Sequence, residues 1–146
     1  MRMKLALAIY LVVGMVSVVI GGLYVTSEQF MSYHSQAVGT PWREVDPGTQ
    51  TLILALMKVA GGGWITLGFF TIILASGEFL KSSAVSRWAL PMGILIFYSA
   101  SLGATWGVYQ ETGARTPWAP SLAMIGFALL AFAIDAPWSS HVRNSK

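Results

Sequence analysis

The sequence predicts an all-α fold, an integral membrane four-helix bundle, and three observations support this prediction. Hydrophobic residues make up 55% of the 146 positions and charged residues only 10%, whereas soluble domains carry about 25% charged residues. The chain contains four apolar runs, each close to the roughly 20 residues that a helix needs to cross a bilayer. Charged residues lie mainly between these runs. A water-soluble fold could not cover its surface with so few charges, so the lipid bilayer is the predicted solvent.

The predicted spans form a single transmembrane domain and cover residues 4–26, 49–75, 88–109 and 119–138. The first span follows Met1-Arg2-Met3-Lys4, a start that is also typical of secretory signals. Its apolar run is too long for a signal core and ends without an Ala-x-Ala cleavage site. We therefore expect the segment to be retained as a membrane helix.

Polar segments at residues 27–48 and 110–118 are predicted to be loops on the same side of the membrane. The first loop places Phe30, Met31, Tyr33 and His34 among polar residues. This pattern is typical of a short amphipathic helix that lies on the membrane surface.

The distribution of lysine and arginine predicts the orientation. Six basic residues fall on one side and two on the other: Arg2, Lys4, Lys81, Arg87, Arg143 and Lys146 against Arg43 and Arg115. Cytoplasmic segments carry the excess of positive charge. Both termini are therefore predicted to be inside (N-in/C-in), with the two loops outside.

The two outer loops resemble each other. Each has a glutamate soon after the preceding span, Glu28 or Glu111, and a Thr-Pro-Trp motif before the next, at residues 40–42 or 116–118. Two repeated helical hairpins, related by an axis along the membrane normal, would explain the similarity. Coincidence between common turn residues is the alternative.

Lys58 is the strongest candidate for a functional residue, because it interrupts an apolar span. If Thr49 marks the outer surface, a rise of 1.5 Å per residue places Lys58 roughly 14 Å deep, near the middle of the membrane. A charge there costs about 2.5–3.5 kcal/mol on insertion scales, which favours a ligand or proton site. The alternative is a structural lysine that snorkels outward and pairs with Glu28, Glu111 or loop carbonyl groups.

Hydroxyl side chains of the third span are predicted to line a pocket with this lysine. The candidate ligand-binding residues are Lys58, Glu28, Tyr98, Ser101, Thr105 and Glu111. Hydrogen bonds between helices are an equally good explanation of the hydroxyl groups.

Small residues predict where helices pack closely. The predicted packing residues are Gly61, Gly62, Gly63, Ser99, Gly103 and Gly107. The last three recur at every fourth position of the third span. For the glycine triplet, the alternative is a broken helix whose freed backbone groups face a ligand, as in transporters.

Several kinds of site are not expected. The chain has no cysteine, which excludes disulfides, thiolate metal sites and iron–sulfur clusters. The two histidines, His34 and His141, lie in polar segments, which argues against a haem or pigment held inside the bundle. The basic residues are too scattered to form a nucleic-acid-binding face. No cofactor, metal, nucleic-acid partner or catalytic residue is therefore predicted.

Several features together resemble the DoxX-like group of small bacterial four-span proteins. They are a first span ending in Gly22-Leu23-Tyr24, a loop with an aromatic-rich start, a basic residue followed by glycines (Lys58 to Gly63) and a Gly-x-x-x-Pro segment (Gly113 to Pro117). The group often has arginine where this chain has Lys58, and a glutamate in its last span that this chain lacks. The resemblance implies a compact four-helix membrane bundle and no particular activity.

Three functional hypotheses follow for a multi-pass protein of the bacterial inner membrane. It is an accessory protein that packs with itself or with a larger membrane complex through its small-residue faces. Alternatively, it binds or transports a small amphipathic molecule, a lipid or a quinone, in a pocket near Lys58. In the third hypothesis it is a membrane enzyme, or a component of one, with Lys58 or His34 in its chemistry.

Overall fold

Five α-helices occur in the part of the chain that the computed structural model describes, residues 2–79 and 84–140. They are α1 (Arg2–Thr26), α2 (Ser32–Val38), α3 (Pro47–Leu74), α4 (Ala84–Thr112) and α5 (Trp118–Asp135). Shorter helical turns cover Trp42–Glu44, Ala75–Phe79 and Pro137–Ser140. The all-α prediction is confirmed, but the structure has five α-helices rather than the four of the predicted bundle, the fifth being the short helix expected in the first loop. Four residues used in the predictions lie outside the described residues: Lys81, His141, Arg143 and Lys146.

The additional helix, α2, forms inside the first predicted loop because the loop carries its own start and stop signals. The Nδ1 atom of His34 accepts the backbone N–H of Met31 at 3.2 Å, and this bond satisfies a donor near the helix start. Gly39 ends the helix with φ at 73°, and its N–H donates to the carbonyl group of Ser35. Glycine adopts this left-handed conformation without a steric penalty.

The other four helices are long and apolar enough to cross a membrane, by length and composition. α3 begins two residues before the predicted span, because the carboxylate of Asp46 accepts the N–H of Thr49 at 3.0 Å and Pro47 occupies the first turn. The hydrogen bonds from Thr49 lower the pKa of Asp46. α4 extends beyond its predicted span at both ends.

Glycines set the closest helix contact, between α1 and the antiparallel α3. A Cβ atom built on Gly21 would lie 2.6 Å from the backbone oxygen of Gly61. One built on Gly68 would lie 2.5 Å from the backbone oxygen of Gly14. In each helix the two glycines are seven residues apart, about two turns, so both lie on the same face. The two backbones approach each other here because no side chain separates them.

The four long helices form a ring in the order α3, α1, α5, α4. α1 packs along both α3 and α5, and α4 packs along α5, whereas α3 and α4 make little contact. We call the end of the ring that carries α2 the α2 end, and the opposite end the Arg87 end. Ala6, Ala128 and Ala131 are fully buried and bring α1 and α5 together.

An ion pair joins α4 to α5 at the Arg87 end. The Nε atom of Arg87 donates to Oδ2 of Asp135 at 2.8 Å, and its Nη2 atom donates to Oδ1 at 3.0 Å. Nη2 also donates to the backbone carbonyl group of Asp135 at 3.1 Å. The side chains are only 13% and 2% exposed, respectively. Such a bidentate pair fixes the start of α4 against the end of α5.

Candidate functional site

Aromatic side chains from α2, the last turn of α1 and the connecting loops cover the α2 end of the bundle. The hydroxyl groups of Tyr24 and Tyr33 are hydrogen-bonded to each other. The centroid of the His34 ring lies 4.1 Å from that of Tyr33 and 6.4 Å from that of Tyr24. Phe30, which is 6% exposed, packs edge-on against His34 and Trp42. These contacts hold α2 as a cover over the bundle.

Two cavities lie beneath this cover, on either side of a shared wall. The α1/α5 cavity has a volume of about 390 Å³ and the α3/α4 cavity about 400 Å³. Both volumes fall in the range of roughly 300–1,000 Å³ that is typical of small-molecule sites. The shared wall consists of Tyr24, Tyr33, Trp64, Ser101 and Thr105, which line both cavities.

Each cavity opens sideways between two helices. Leu23 and Pro120, which line the α1/α5 cavity, are exposed. Ala60, Ala104 and Val108, which line the α3/α4 cavity, are also exposed. A further hollow of about 350 Å³ lies between α2 and α3. A bound molecule would therefore not be fully enclosed by the protein.

An aromatic cluster separates the cavities from the packed core at the Arg87 end. The ring of Trp64 lies 4.7 Å from that of Phe97 and 4.8 Å from that of Tyr98, between centroids. Ser17 donates its hydroxyl proton to the carbonyl group of Val13 at 2.8 Å. Tyr98, 2.9 Å from the same Ser17 oxygen, must therefore be the donor in their shared hydrogen bond.

Most serine and threonine hydroxyl groups of the cavities are occupied by bonds within the protein, whereas the exposed Ser32 at the rim of the α1/α5 cavity makes none to a described residue. Thr105 donates to the carbonyl group of Ser101 at 2.8 Å, and Thr116 donates to that of Thr105 at 2.7 Å. The hydroxyl oxygens of Ser101 and Ser121 share a hydrogen bond of 3.1 Å, and that of Ser121 also lies 3.4 Å from the carbonyl oxygen of Pro117. The hydroxyl protons of Thr105 and Thr116 are therefore not available to a ligand.

Histidine 34 presents a free donor beside the α3/α4 cavity. Burial lowers the pKa of His34, which keeps the ring neutral near pH 7. A neutral imidazole has one acceptor and one donor nitrogen. Because Nδ1 accepts the N–H of Met31, the proton lies on Nε2. Within residues 2–79 and 84–140, this Nε2–H makes no hydrogen bond.

Two further donors belong to the shared wall. The indole N–H of Trp64 makes no hydrogen bond to any described residue, and its nitrogen keeps some accessible surface although the side chain is only 8% exposed. Tyr24 and Tyr33 carry two hydroxyl protons, and their mutual hydrogen bond uses one of them. Burial and the hydrogen bond with Tyr24 raise the pKa of Tyr33, so it retains its proton. The free donors therefore lie in the shared wall and its cover.

Charged side chains are absent from the described lining of both cavities, which contains no lysine, arginine, aspartate or glutamate. Nor does the described part of the chain group three histidine, aspartate or glutamate side chains closely enough to hold a metal ion. The cavities are therefore aromatic and hydrogen-bonding, but electrically neutral.

The structure brings together half of the residues predicted to bind a ligand. Tyr98, Ser101 and Thr105 line the α1/α5 cavity, and the last two also line the other. Lys58, Glu28 and Glu111 are exposed and line neither cavity. The ammonium group of Lys58 forms no ion pair or hydrogen bond with a described residue, so the predicted contact with Glu28 or Glu111 is not made.

Lys58 also lies nearer to the α2 end of the bundle, and farther from its middle, than the prediction placed it. Because Gly61 packs against Gly21 in an antiparallel pair, Lys58 is level with Tyr24, which lies in the last turn of α1. The prediction counted depth from the start of the apolar run. The structure instead shows that the first ten or so residues of α3 project past the end of α1 and contact the region of α2.

The three glycines of the triplet face three different directions, because successive residues of an unbroken α-helix are rotated by about 100° around its axis. Gly61 faces Gly21 of α1, whereas a Cβ atom on Gly63 would lie 3.2 Å from the ring of Phe97 on α4. A Cβ atom on Gly62 would meet nothing within 4 Å. α3 continues as α-helix through all three residues. The triplet therefore serves two packing contacts, and its middle member faces outward.

The small-residue face of α4 makes no close contact within the described chain. Ser99 and Gly103 are exposed, and a Cβ atom on Gly103 or Gly107 would meet nothing within 4 Å. The face borders a shallow groove of about 500 Å³ next to Trp106 and Trp118. Helix packing inside the chain uses Gly14 and Gly68 instead, together with Gly21 and Gly61.

Tyr33, Trp64 and Ser121 line the cavities but were not predicted to be part of a site, whereas His34 was named only in the enzyme hypothesis. Tyr33 and His34 were assigned to a surface helix, and their aromatic spacing was the available signal. Trp64 directly follows the glycine triplet, but no sequence pattern indicated which helix it faces.

Comparison of the chain with protein-family models, with curated proteins and with solved structures finds no match. The resemblance to the DoxX-like group therefore stays a prediction. The functional argument rests on the geometry of the two cavities and their cover.

Proposed function

We propose that this chain is a multi-pass membrane protein that binds a small amphipathic molecule, a lipid or a quinone, in the cavities beneath α2. The observation that carries this proposal is a pair of side-opening cavities with free hydrogen-bond donors at the α2 end. A polar head group fits under α2, and an apolar tail can leave through a side opening. In a bilayer, that opening faces hydrocarbon.

The outer surface supports insertion in a membrane. Large apolar side chains are widely exposed on the long helices, including Leu56 at 60%, Val59 at 75% and Ile96 at 73%. Exposed apolar surface on this scale is unfavourable in water and favourable in lipid. Arg2 and Lys4 lie at the end opposite α2, which favours the N-in/C-in orientation in an inner membrane.

Single-cysteine labelling tests the orientation cleanly, because the chain has no cysteine of its own. Gln29 and Ala84 are both exposed and lie at opposite ends of the bundle. We expect Gln29→Cys to react with a membrane-impermeant maleimide in intact cells and Ala84→Cys to react only after the cells are opened. The reverse pattern would overturn the proposed orientation.

Mass spectrometry of the intact protein, released from its own membranes in mild detergent, tests ligand binding. The wild type should carry a discrete small-molecule mass. Ser101→Leu places bulk in the shared wall and should abolish this mass, whereas Ser99→Leu, an identical change at an exposed position outside both cavities, should retain it. A wild type that carries no such mass and binds no added amphipathic molecule would refute the proposal.

An accessory role, in which the chain packs with itself or with a larger membrane complex, is the second candidate. It is favoured by the open space beside Gly103 and Gly107 on α4. Gly103→Cys should form cross-links in native membranes if this face meets another chain. Ala123→Cys, on an exposed face of α5, is the control, and equal cross-linking of both variants would count against a specific interface.

A further inference from the structure

Accepting the proposed binding function, we infer that the bound head group is uncharged and carries carbonyl-type oxygens, as a quinone ring or a neutral glyceride ester does. Anionic lipids and fatty acids are excluded by the same geometry. This inference rests on three features of the cavities: which donors are free, where they lie, and which charges are missing.

The free groups around the shared wall are donors. They are the Nε2–H of His34, the indole N–H of Trp64 and one hydroxyl proton of the Tyr24 and Tyr33 pair. Buried tryptophan usually has a hydrogen-bond partner, and a ligand that covers such a donor without accepting its hydrogen bond binds at a cost in free energy. A ligand that fits must therefore supply acceptor oxygens.

The position of these donors places the head group. Deeper in the α1/α5 cavity, Tyr98 donates its hydroxyl proton to Ser17, and Ser101 and Ser121 are hydrogen-bonded to each other. The head group consequently lies at the wall beneath α2. The apolar part continues between Ile20 and Met124, which also line this cavity.

The missing charges exclude an anionic head group. Neither cavity has a lysine or arginine in its described lining. The basic residues near the α2 end, Lys58, Arg43 and Arg115, are all exposed. Moving a carboxylate or phosphate from water into such a site without a cationic partner is strongly unfavourable. A neutral carbonyl oxygen accepts the same hydrogen bonds without this penalty.

The test uses the purified full-length chain and four probes with short or single tails. Decylubiquinone and dioctanoylglycerol carry neutral carbonyl oxygens, and oleate and dioctanoyl phosphatidate carry anionic head groups. Dissociation constants are measured by native mass spectrometry and equilibrium dialysis. We expect at least one neutral probe to bind more than tenfold more tightly than either anion, and the stronger neutral probe to identify the source of the carbonyl group.

Two variants test the donors directly. Trp64→Phe keeps an aromatic ring and removes the N–H, and the double variant Tyr24→Phe/Tyr33→Phe removes both hydroxyl groups of the pair and with them its free donor. Each should weaken binding of the neutral probe about fivefold to tenfold, the equivalent of one neutral hydrogen bond. Trp88→Phe is the control, because Trp88 packs against Phe132 at the Arg87 end.

The outcomes separate this inference from the proposed function. Equal or tighter binding of an anionic probe would overturn the neutral head group and leave the binding function standing. Neutral binding that neither Trp64→Phe nor the double variant Tyr24→Phe/Tyr33→Phe weakens would overturn the role of the donors. If none of the probes binds and the protein carries no native ligand, the binding function itself fails.

Discussion

Replacing Gly68 by alanine should destabilise the bundle, because it forces α1 and α3 apart at their closest contact. The added Cβ atom would lie 2.5 Å from the backbone oxygen of Gly14 and 2.8 Å from the backbone nitrogen of Val18. An ordinary van der Waals contact begins at 3.4 Å, and neither backbone atom can rotate away. The helices must therefore separate by roughly 0.5–1 Å, which forfeits a quarter to a half of the dispersion energy of each atom pair involved.

The expected size of this effect follows from two opposing terms. Overpacking of a well-packed contact costs about 1–3 kcal/mol. Alanine in place of glycine favours the helix by about 1 kcal/mol in water. The free energy of unfolding should therefore fall by up to about 2 kcal/mol in Gly68→Ala.

Gly62→Ala is the matched control on the same helix. Its Cβ atom would meet nothing within 4 Å, so only the helix preference of alanine remains and stability should stay the same or rise by up to about 1 kcal/mol. Reversible unfolding in mixed micelles, followed by circular dichroism as the mole fraction of dodecyl sulfate increases, measures both variants. If Gly68→Ala were as stable as Gly62→Ala, the glycine contact between α1 and α3 would not be as described.

Three further predictions concern charged and titratable residues. Asp135→Asn should lower the free energy of unfolding by roughly 3 kcal/mol in the same micelle assay, because it leaves the mostly buried Arg87 without its carboxylate; an unchanged unfolding midpoint would contradict this. Lys58→Met should change the free energy of unfolding by less than about 0.5 kcal/mol, as is usual for an exposed side chain without partners. A larger loss in micelles would contradict the exposed, unpaired position of Lys58. Burial lowers the pKa of His34, so the docked position of α2 favours the neutral ring. This favourable contribution to docking is fully present above about pH 6.5, and it is lost as the pH falls from there through the pKa of the docked state. Ala37 is half-buried on α2. After correction for the thiolate fraction, Ala37→Cys should therefore react faster with a methanethiosulfonate reagent at pH 5 than at pH 7.5. The additional substitution His34→Gln should remove this difference.

The long helices could be predicted from the sequence because span prediction depends on local properties. The number of consecutive apolar residues and the positions of charges are read along the chain, and a helix is the form in which a lone segment satisfies its own backbone hydrogen bonds. Asp46-Pro47 and Thr26 accordingly lie close to the predicted ends of their spans. α2 was predicted as a surface helix, but its role as a cover was not, since that depends on side chains of α1.

Which faces of the helices meet was decided only by the tertiary structure. The glycines of α4 had the same spacing as a packing motif, yet they face outward, whereas Gly68 carries the closest contact without any local signal. In lipid, apolar side chains face both the neighbouring helices and the surroundings, so hydrophobicity does not distinguish the two faces of a helix.

The sequence by itself determined a helical chain with four membrane-length segments and almost no charge within them. The tertiary structure decided the ring order, the register that moves Lys58 to the level of Tyr24, and the convergence of Trp64, Tyr33 and His34 around two cavities. The physical reason is that helix formation satisfies each segment separately, whereas a cavity exists only where several helices fail to close against one another.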